Sequence, residues 1–123
     1  MNLLDATHKL LDSIAARDWE AYASLCDPNL TCFEAESRGH CVEGLEFHRF
    51  YFENGGHLGN HVSTICAPIV REFGNTGLTC YSRLVQFIDQ DGRAVTQRYE
   101  ETRVWRREGE DWKCIHFHRS SHA

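Results

Sequence analysis

At 123 residues and a net charge of −5, the chain has the size of one ordinary domain and room for a real core without staples. Hydrophobic residues make up 41 % and charged residues 25 %, no apolar run approaches the ~18 residues of a membrane span, and Asp5 and Asp12 interrupt the N-terminal leucines. Those numbers exclude a multidomain enzyme, a helical membrane protein and a basic nucleic-acid or anionic-membrane binder.

Helical spacing opens the chain. Leu3, Leu4, Leu11, Ile14 and Ala15 share a face of a helix predicted over about 2–16. Asp18 is placed as the N-cap of a short second helix, WEAYASLC, stopped by Asp27-Pro28. LTCF (30–33) reads as a strand and ESRGH (36–40) as a turn. LEFHRFYFEN (45–54) is a third helix, ended by Gly55-Gly56. Four longer strands follow at about 61–72, 78–88, 94–107 and 112–119, separated by GNTG, DQDG and REGED. Helices followed by antiparallel strands give an α+β domain, one curved sheet around the first helix.

Such a sheet has a second face, and alternation fails to make it polar. Tyr81, Val85 and Phe87 oppose Cys80, Leu84 and Ile88; Val95, Tyr99 and Trp105 oppose Thr102 and Val104; Ile115 and Phe117 oppose Trp112 and Cys114. Apolar side chains on both faces are expected where another subunit covers the second. Scattered exposed hydrophobes are the plainer account.

Arginine outnumbers lysine eleven to two. Arg83 shares parity with Tyr81, Val85 and Phe87, Arg103 with Tyr99, Glu101 and Trp105, and Arg119 with Ile115 and Phe117. A buried guanidinium requires a carboxylate, a carbonyl or a bound anion. If that parity faces inward, three cations converge in a concave site suited to a small carboxylate. The competing account is neutralisation by Glu34, Glu36, Glu100 or Glu101.

His116 and His118 form an H-x-H pair on one face of a strand, a zinc arrangement if His48, His122 or Cys114 supplied a third ligand. Packing and hydrogen bonding are the favoured account of the pair, and no metal or cofactor is expected. No GxSxG, Walker A or GxGxxG motif is present. Glu101, His48 and Glu34 would be the acid–base candidates of an enzyme, but no catalytic residue is assigned. Six cysteines are scattered singly without CxxC, the pattern of reduced thiols in a cytoplasmic protein.

Five blocks carry a resemblance: LCDP (25–28), TCFE (31–34), VEGLEFHRFYFEN (42–54), EETRVW (100–105) and HFHRS (116–120). In order and over nearly the whole chain, they resemble the association (hub) domain of calcium/calmodulin-dependent protein kinase II. The resemblance implies a cone-shaped fold of the nuclear transport factor 2-like superfamily. It also implies stacked rings of twelve or fourteen subunits that gather kinase domains by avidity. Arg83, Arg103, Arg119 and His48 match an arginine-lined pocket for small carboxylates, including acidic side chains and gamma-hydroxybutyrate-like ligands. Glu101 and Glu34 would neutralise the arginines when that pocket is empty.

The chain departs from the family in starting at Met1 without kinase domain, calmodulin-binding segment or linker, so it is read as a stand-alone hub or an excised one. Its loop after Asn54 is also shorter, with Gly55-Gly56 in place of an aromatic-bearing stretch. The expectation is one domain over 1–123: a homo-oligomeric, non-catalytic hub of twelve or more subunits with a carboxylate pocket, binding neither nucleic acid nor membrane. The alternative is a stand-alone small-molecule-binding protein or enzyme of the nuclear transport factor 2-like superfamily.

Overall fold

A long amphipathic helix begins at Leu3 because Asn2 caps it: the Asn2 Oδ1 accepts from the Asp5 N–H at 2.8 Å. The computed structural model describes residues 1–54 and 61–121. This helix, α1 (Leu3–Ala15), buries Leu3, Ala6, Thr7, Leu10 and Leu11, the i, i+3, i+4, i+7, i+8 stripe of a helix lying on a core. Leu4, Ile14 and Ala15, predicted on that stripe, flank it half-buried.

Asp18 caps α2 (Trp19–Ser24), its side chain accepting from Ala21 N–H. Here the structure corrects the sequence reading. The helix ends before Asp27-Pro28, and both residues lie in β1 (Cys26–Phe33). Pro28 is tolerated because the pairing of β1 with its neighbour is interrupted between Cys26 and Thr31, so no ladder hydrogen bond is demanded of it. A single 3-10 turn (Ala35–Ser37) occupies the predicted ESRGH turn, and the two-residue strand β2 (Val42–Glu43) was not foreseen. Helix α3 (Glu46–Asn54) follows; the predicted Gly55-Gly56 stop and the shortened loop lie outside the described residues. The remaining strands are β3 (His61–Phe73), β4 (Thr76–Ile88), β5 (Ala94–Glu108) and β6 (Asp111–Ser121).

The six strands form one sheet in the order β2-β1-β6-β5-β4-β3. It is not wholly antiparallel: β1 and β6 run parallel, with Cys32 opposite Phe117 and Phe33 opposite His118. The fold class, α+β with a curved sheet and an N-terminal helix, is as expected.

Two bulges reset which residues face the helix. In β3 an extra residue lies between the Cys66–Ser82 and Ile69–Cys80 pairs, where Ala67 takes φ +49°. In β6 an extra residue lies between the Val104–His116 and Trp105–Cys114 pairs. Because side chains alternate, one extra residue exchanges the faces. Trp112, Cys114 and Phe117 are therefore all buried, and Ile115 does not share the face of Phe117 and Arg119. The apparent two-sidedness of the last strand is this bulge. In β4 the feature is real: Val85 is buried, while Ile88 on the opposite parity is 63 % exposed.

The core joins α1 to the inner rows of the sheet. Trp105 and Trp112 are among its largest members, and Trp105 Nε1 donates to Thr79 Oγ1 at 3.0 Å. The helix start lies so close to β4 that a Cβ on Gly77 would meet Leu3 Cδ2 at 2.5 Å. Among the described residues no helix is long and apolar enough to cross a membrane.

Candidate functional site

Beyond the tryptophans, the inner face of the same strands turns from apolar to charged. Strand pairing sets the side chains in rows. Tyr81 of β4 is opposite Glu101 of β5, which is opposite Arg119 of β6. One row over, Arg103 is opposite Phe117, which is opposite Cys32. Arg83 stands opposite Tyr99, and His48 arrives from α3.

Glu101 is the centre. Its Oε2 accepts from Arg83 Nη1 at 3.0 Å, and its Oε1 accepts from the Tyr81 hydroxyl at 2.5 Å and lies 3.4 Å from Arg103 Nη2. Arg103 Nε donates to the Tyr81 oxygen at 2.9 Å, and its guanidinium lies 4.5 Å from the Phe117 ring centroid. Burial alone would push the Glu101 acid upward. Arg103, Arg83 and the Tyr81 hydroxyl outweigh it and hold the carboxyl down to about 2. Burial pushes the Tyr81 hydroxyl up, so it remains a donor.

Arg119 is the accessible cation, partly exposed where Arg83 and Arg103 are buried. Glu36 binds it through both oxygens at 2.8 and 2.5 Å, Glu34 lies 3.6 Å away, and Tyr99 stacks beneath it. All three arginines thus have carboxylates within ion-pair distance: Glu101 for two and Glu36 with Glu34 for the third. Glu100, the other residue named from the sequence, lies 3.8 Å from Arg98 near the exposed surface.

His48 reaches the network through Glu34, with Nδ1 3.6 Å from Glu34 Oε1, and its Nε2 lies 3.5 Å from Cys32 Sγ. Burial, reinforced by Arg103 and Arg119, lowers the imidazole to about 4, so it is neutral at pH 7. Burial raises Glu34 to about 7 against the pull of Arg119, with Glu36 adding to the rise.

All five residues singled out from the sequence, Arg83, Arg103, Arg119, His48 and Glu101, therefore lie in one network. Sequence reasoning did not assign Tyr81 a role, although its parity with Arg83 was visible. It counted Cys32 only among the scattered reduced thiols. The H-x-H pair does not gather a third ligand among the described residues: His116 Nδ1 is 2.7 Å from Thr31 Oγ1, and Cys114 is on the inner face beside Arg103. His122 lies outside the described residues. All six cysteines are free thiols.

The family model for the calcium/calmodulin dependent protein kinase II association domain matches residues 1–123. The chain belongs to that family. It is 42 % identical over 122 residues to the type II calcium/calmodulin-dependent protein kinase of Caenorhabditis elegans, which aligns with 98 % of this chain. The association-domain chain spans only 17 % to 23 % of the length of the curated kinases it matches. A solved S. rosetta CaMKII hub superposes with a TM-score of 0.89 at 42 % identity, covering 98 % of this chain and 94 % of the hub. A nuclear transport factor 2-like superfamily protein from Salmonella enterica, 17 % identical, superposes at 0.80 over 97 % of this chain and 87 % of its own, which establishes the shared fold.

Proposed function

We propose that this chain is a self-assembling, non-catalytic hub that forms stacked rings of twelve or more copies in the cytoplasm. One observation carries the assembly: the sheet face turned away from α1 presents Val62, Ile69 and Ile88, each 50 % to 63 % exposed in the single chain, with Phe73 at 65 % at the strand end. Large side chains exposed together along neighbouring strands mark a surface that another chain covers. The matched relatives described as hubs and association domains fit this reading. Native mass spectrometry of the 14.2 kDa chain at low micromolar concentration is the test, with a dodecamer expected near ~170 kDa. A monomer or simple dimer would overturn the reading. Six free thiols, of which Cys26, Cys32 and Cys114 are buried, suit a reducing compartment.

The same hub binds a small carboxylate at Arg119, backed by Arg83, Arg103 and His48, with Glu101 holding the inner two guanidinium groups in place. The support is the contrast in accessibility: a ligand reaches Arg119 by displacing Glu36, whose side chain is partly exposed. Calorimetric titration with a four-carbon hydroxycarboxylate tests it. Binding should disappear in Arg119→Ala and tighten in Glu36→Gln, which removes the competing charge. Unchanged binding in Arg119→Ala would refute the site.

A further inference from the structure

Beside the arginine network, and sharing His48 with it, lies a second cluster whose metal-binding chemistry the carboxylate reading does not use. Cys32, Glu34 and His48 each offer one donor atom, and the three atoms lie within 4.8 Å of one another. Among the described residues this is the one grouping of three metal-type donors. Thiol, carboxylate and imidazole together are a donor set suited to zinc. From these positions the geometry points to a zinc-binding site formed by Cys32 Sγ, a Glu34 carboxylate oxygen and a His48 ring nitrogen, with a fourth position left open.

The argument is first metric. Zinc bonded at its usual lengths to sulfur and to imidazole nitrogen, at a tetrahedral angle, separates those two atoms by about 3.5 Å. Cys32 Sγ and His48 Nε2 are 3.5 Å apart. Sulfur and nitrogen therefore already stand at the edge of such a tetrahedron. Glu34 now faces the other ring nitrogen, Nδ1, at 3.6 Å, and must turn its carboxylate toward the Nε2 side to complete the set; it is held loosely enough to do so, since that contact and the one to Arg119, also 3.6 Å, are longer than a hydrogen bond.

The scaffold fixes two of the three residues independently of any metal. Cys32 is paired with Val42 on one side and Phe117 on the other. The His48 ring is packed among Tyr22, Phe47 and Phe117. Glu34 follows β1 directly, its backbone tied to Ser37, whose hydroxyl accepts from Glu34 N–H and donates to Glu34 C=O.

Charge is the obvious objection, since Arg103 and Arg119 face the cluster. Both already have other carboxylates, Glu101 and Glu36. A dication bound to one thiolate and one carboxylate sums to zero, so the arginines face no net cation once the Cys32 proton, and that of Glu34 where the acid holds one, have left to solvent. Arg119 gives up only its long contact to Glu34. Both readings use His48, but the metal measurement requires no carboxylate ligand, so failure of the carboxylate site at Arg119 and failure of this one are read separately.

Cobalt(II) titration of the reduced, chelator-treated full chain, followed by absorption spectroscopy, tests the assignment because a thiolate bound to cobalt gives an intense near-ultraviolet charge-transfer band. We expect one cobalt per chain, that band, and its loss on adding one equivalent of zinc. Cys32→Ser should abolish the band. Glu34→Gln, which keeps the shape and removes only the charge, should weaken cobalt binding by more than the ~10–100-fold lost with a merely supporting contact. The Glu34→Gln measurement also decides the matter if Cys32→Ser does not fold. No band in the native chain would overturn the site. So would a band that persists in Cys32→Ser, or cobalt affinity unchanged by Glu34→Gln.

Discussion

Strand β5 carries two kinds of buried surface on one face, two residues apart. Trp105 is fully buried in the apolar core and needs one hydrogen bond, to Thr79. Arg103 and Glu101 are just as buried and need every partner they have. The apolar end is held by packing, which degrades gradually as atoms are removed. The charged end is held by mutual neutralisation, which fails at once when a member goes missing. The largest effect should therefore come from Glu101. Glu101→Gln leaves Arg83 and Arg103 buried with no carboxylate between them, a loss of about 3–5 kcal/mol. Urea unfolding should move far to lower denaturant; a midpoint within experimental scatter of the native one would break the comparison.

Acid should probe the charged end selectively. The folded-state acidity of Glu101 is held down to about 2, below its value in an unfolded chain. Its stabilising contribution is therefore complete above the unfolded value, about 4.3, and drains away as pH falls from there through about 2. The loss is on the order of 3 kcal/mol. Unfolding free energy measured across that range should slope downward in the native chain, and more shallowly in Glu101→Gln. Equal slopes would mean that Glu101 is not the group responsible.

The packed end has its own sharp test. Gly77 is favoured by closeness rather than by backbone angle, since a Cβ would lie 2.5 Å from the Leu3 Cδ2 methyl, which would have to shift within the core, and 3.2 Å from Trp112. Gly77→Ala should cost about 1–3 kcal/mol through overpacking. Pairing it with Leu3→Ala should recover part of that loss, because the two changes share one contact. Strict additivity would show that the helix does not press on β4 there.

Legibility followed the same division. The helices and long strands were readable because their periodicity and punctuation are local: the leucine spacing of the first helix, the Asp18 cap and the turns GNTG and DQDG leave marks within a few residues. The bulges were not. The extra residue in β6 exists only relative to its partner strand, and no composition cue announces it, so Ile115 was put on the wrong face. The parallel pairing of β1 with β6, which brings Cys32 beside Phe117, is likewise set by residues about 85 positions apart. Arg83, Arg103 and Arg119 could be found by parity and resemblance, because buried arginine on a strand is chemically unusual. Which carboxylate each would take needed cross-strand register. Tyr81 gave no signal of its own, since a strand tyrosine is ordinary until its hydroxyl is seen between Glu101 and Arg103.

The smallest predicted effect isolates what burial adds to an ion pair. Arg49 Nε and Glu53 Oε1 are 2.8 Å apart on the surface of α3, slightly closer than Arg83 and Glu101 at 3.0 Å. Distance alone would rank the surface pair as the stronger. It is half exposed on both sides, so water screens it and its long side chains surrender rotamer freedom to form it. Glu53→Gln should change the unfolding free energy by no more than about 0.5 kcal/mol, less still in high salt. The same Glu→Gln exchange at position 101 removes the same charge from a pair of nearly the same length. A ratio of about six or more between the two losses follows from burial together with the second guanidinium that Glu101 neutralises; a ratio near one would mean that water reaches Glu101 in the working protein, and that the arginine network is an open basin rather than a sealed one.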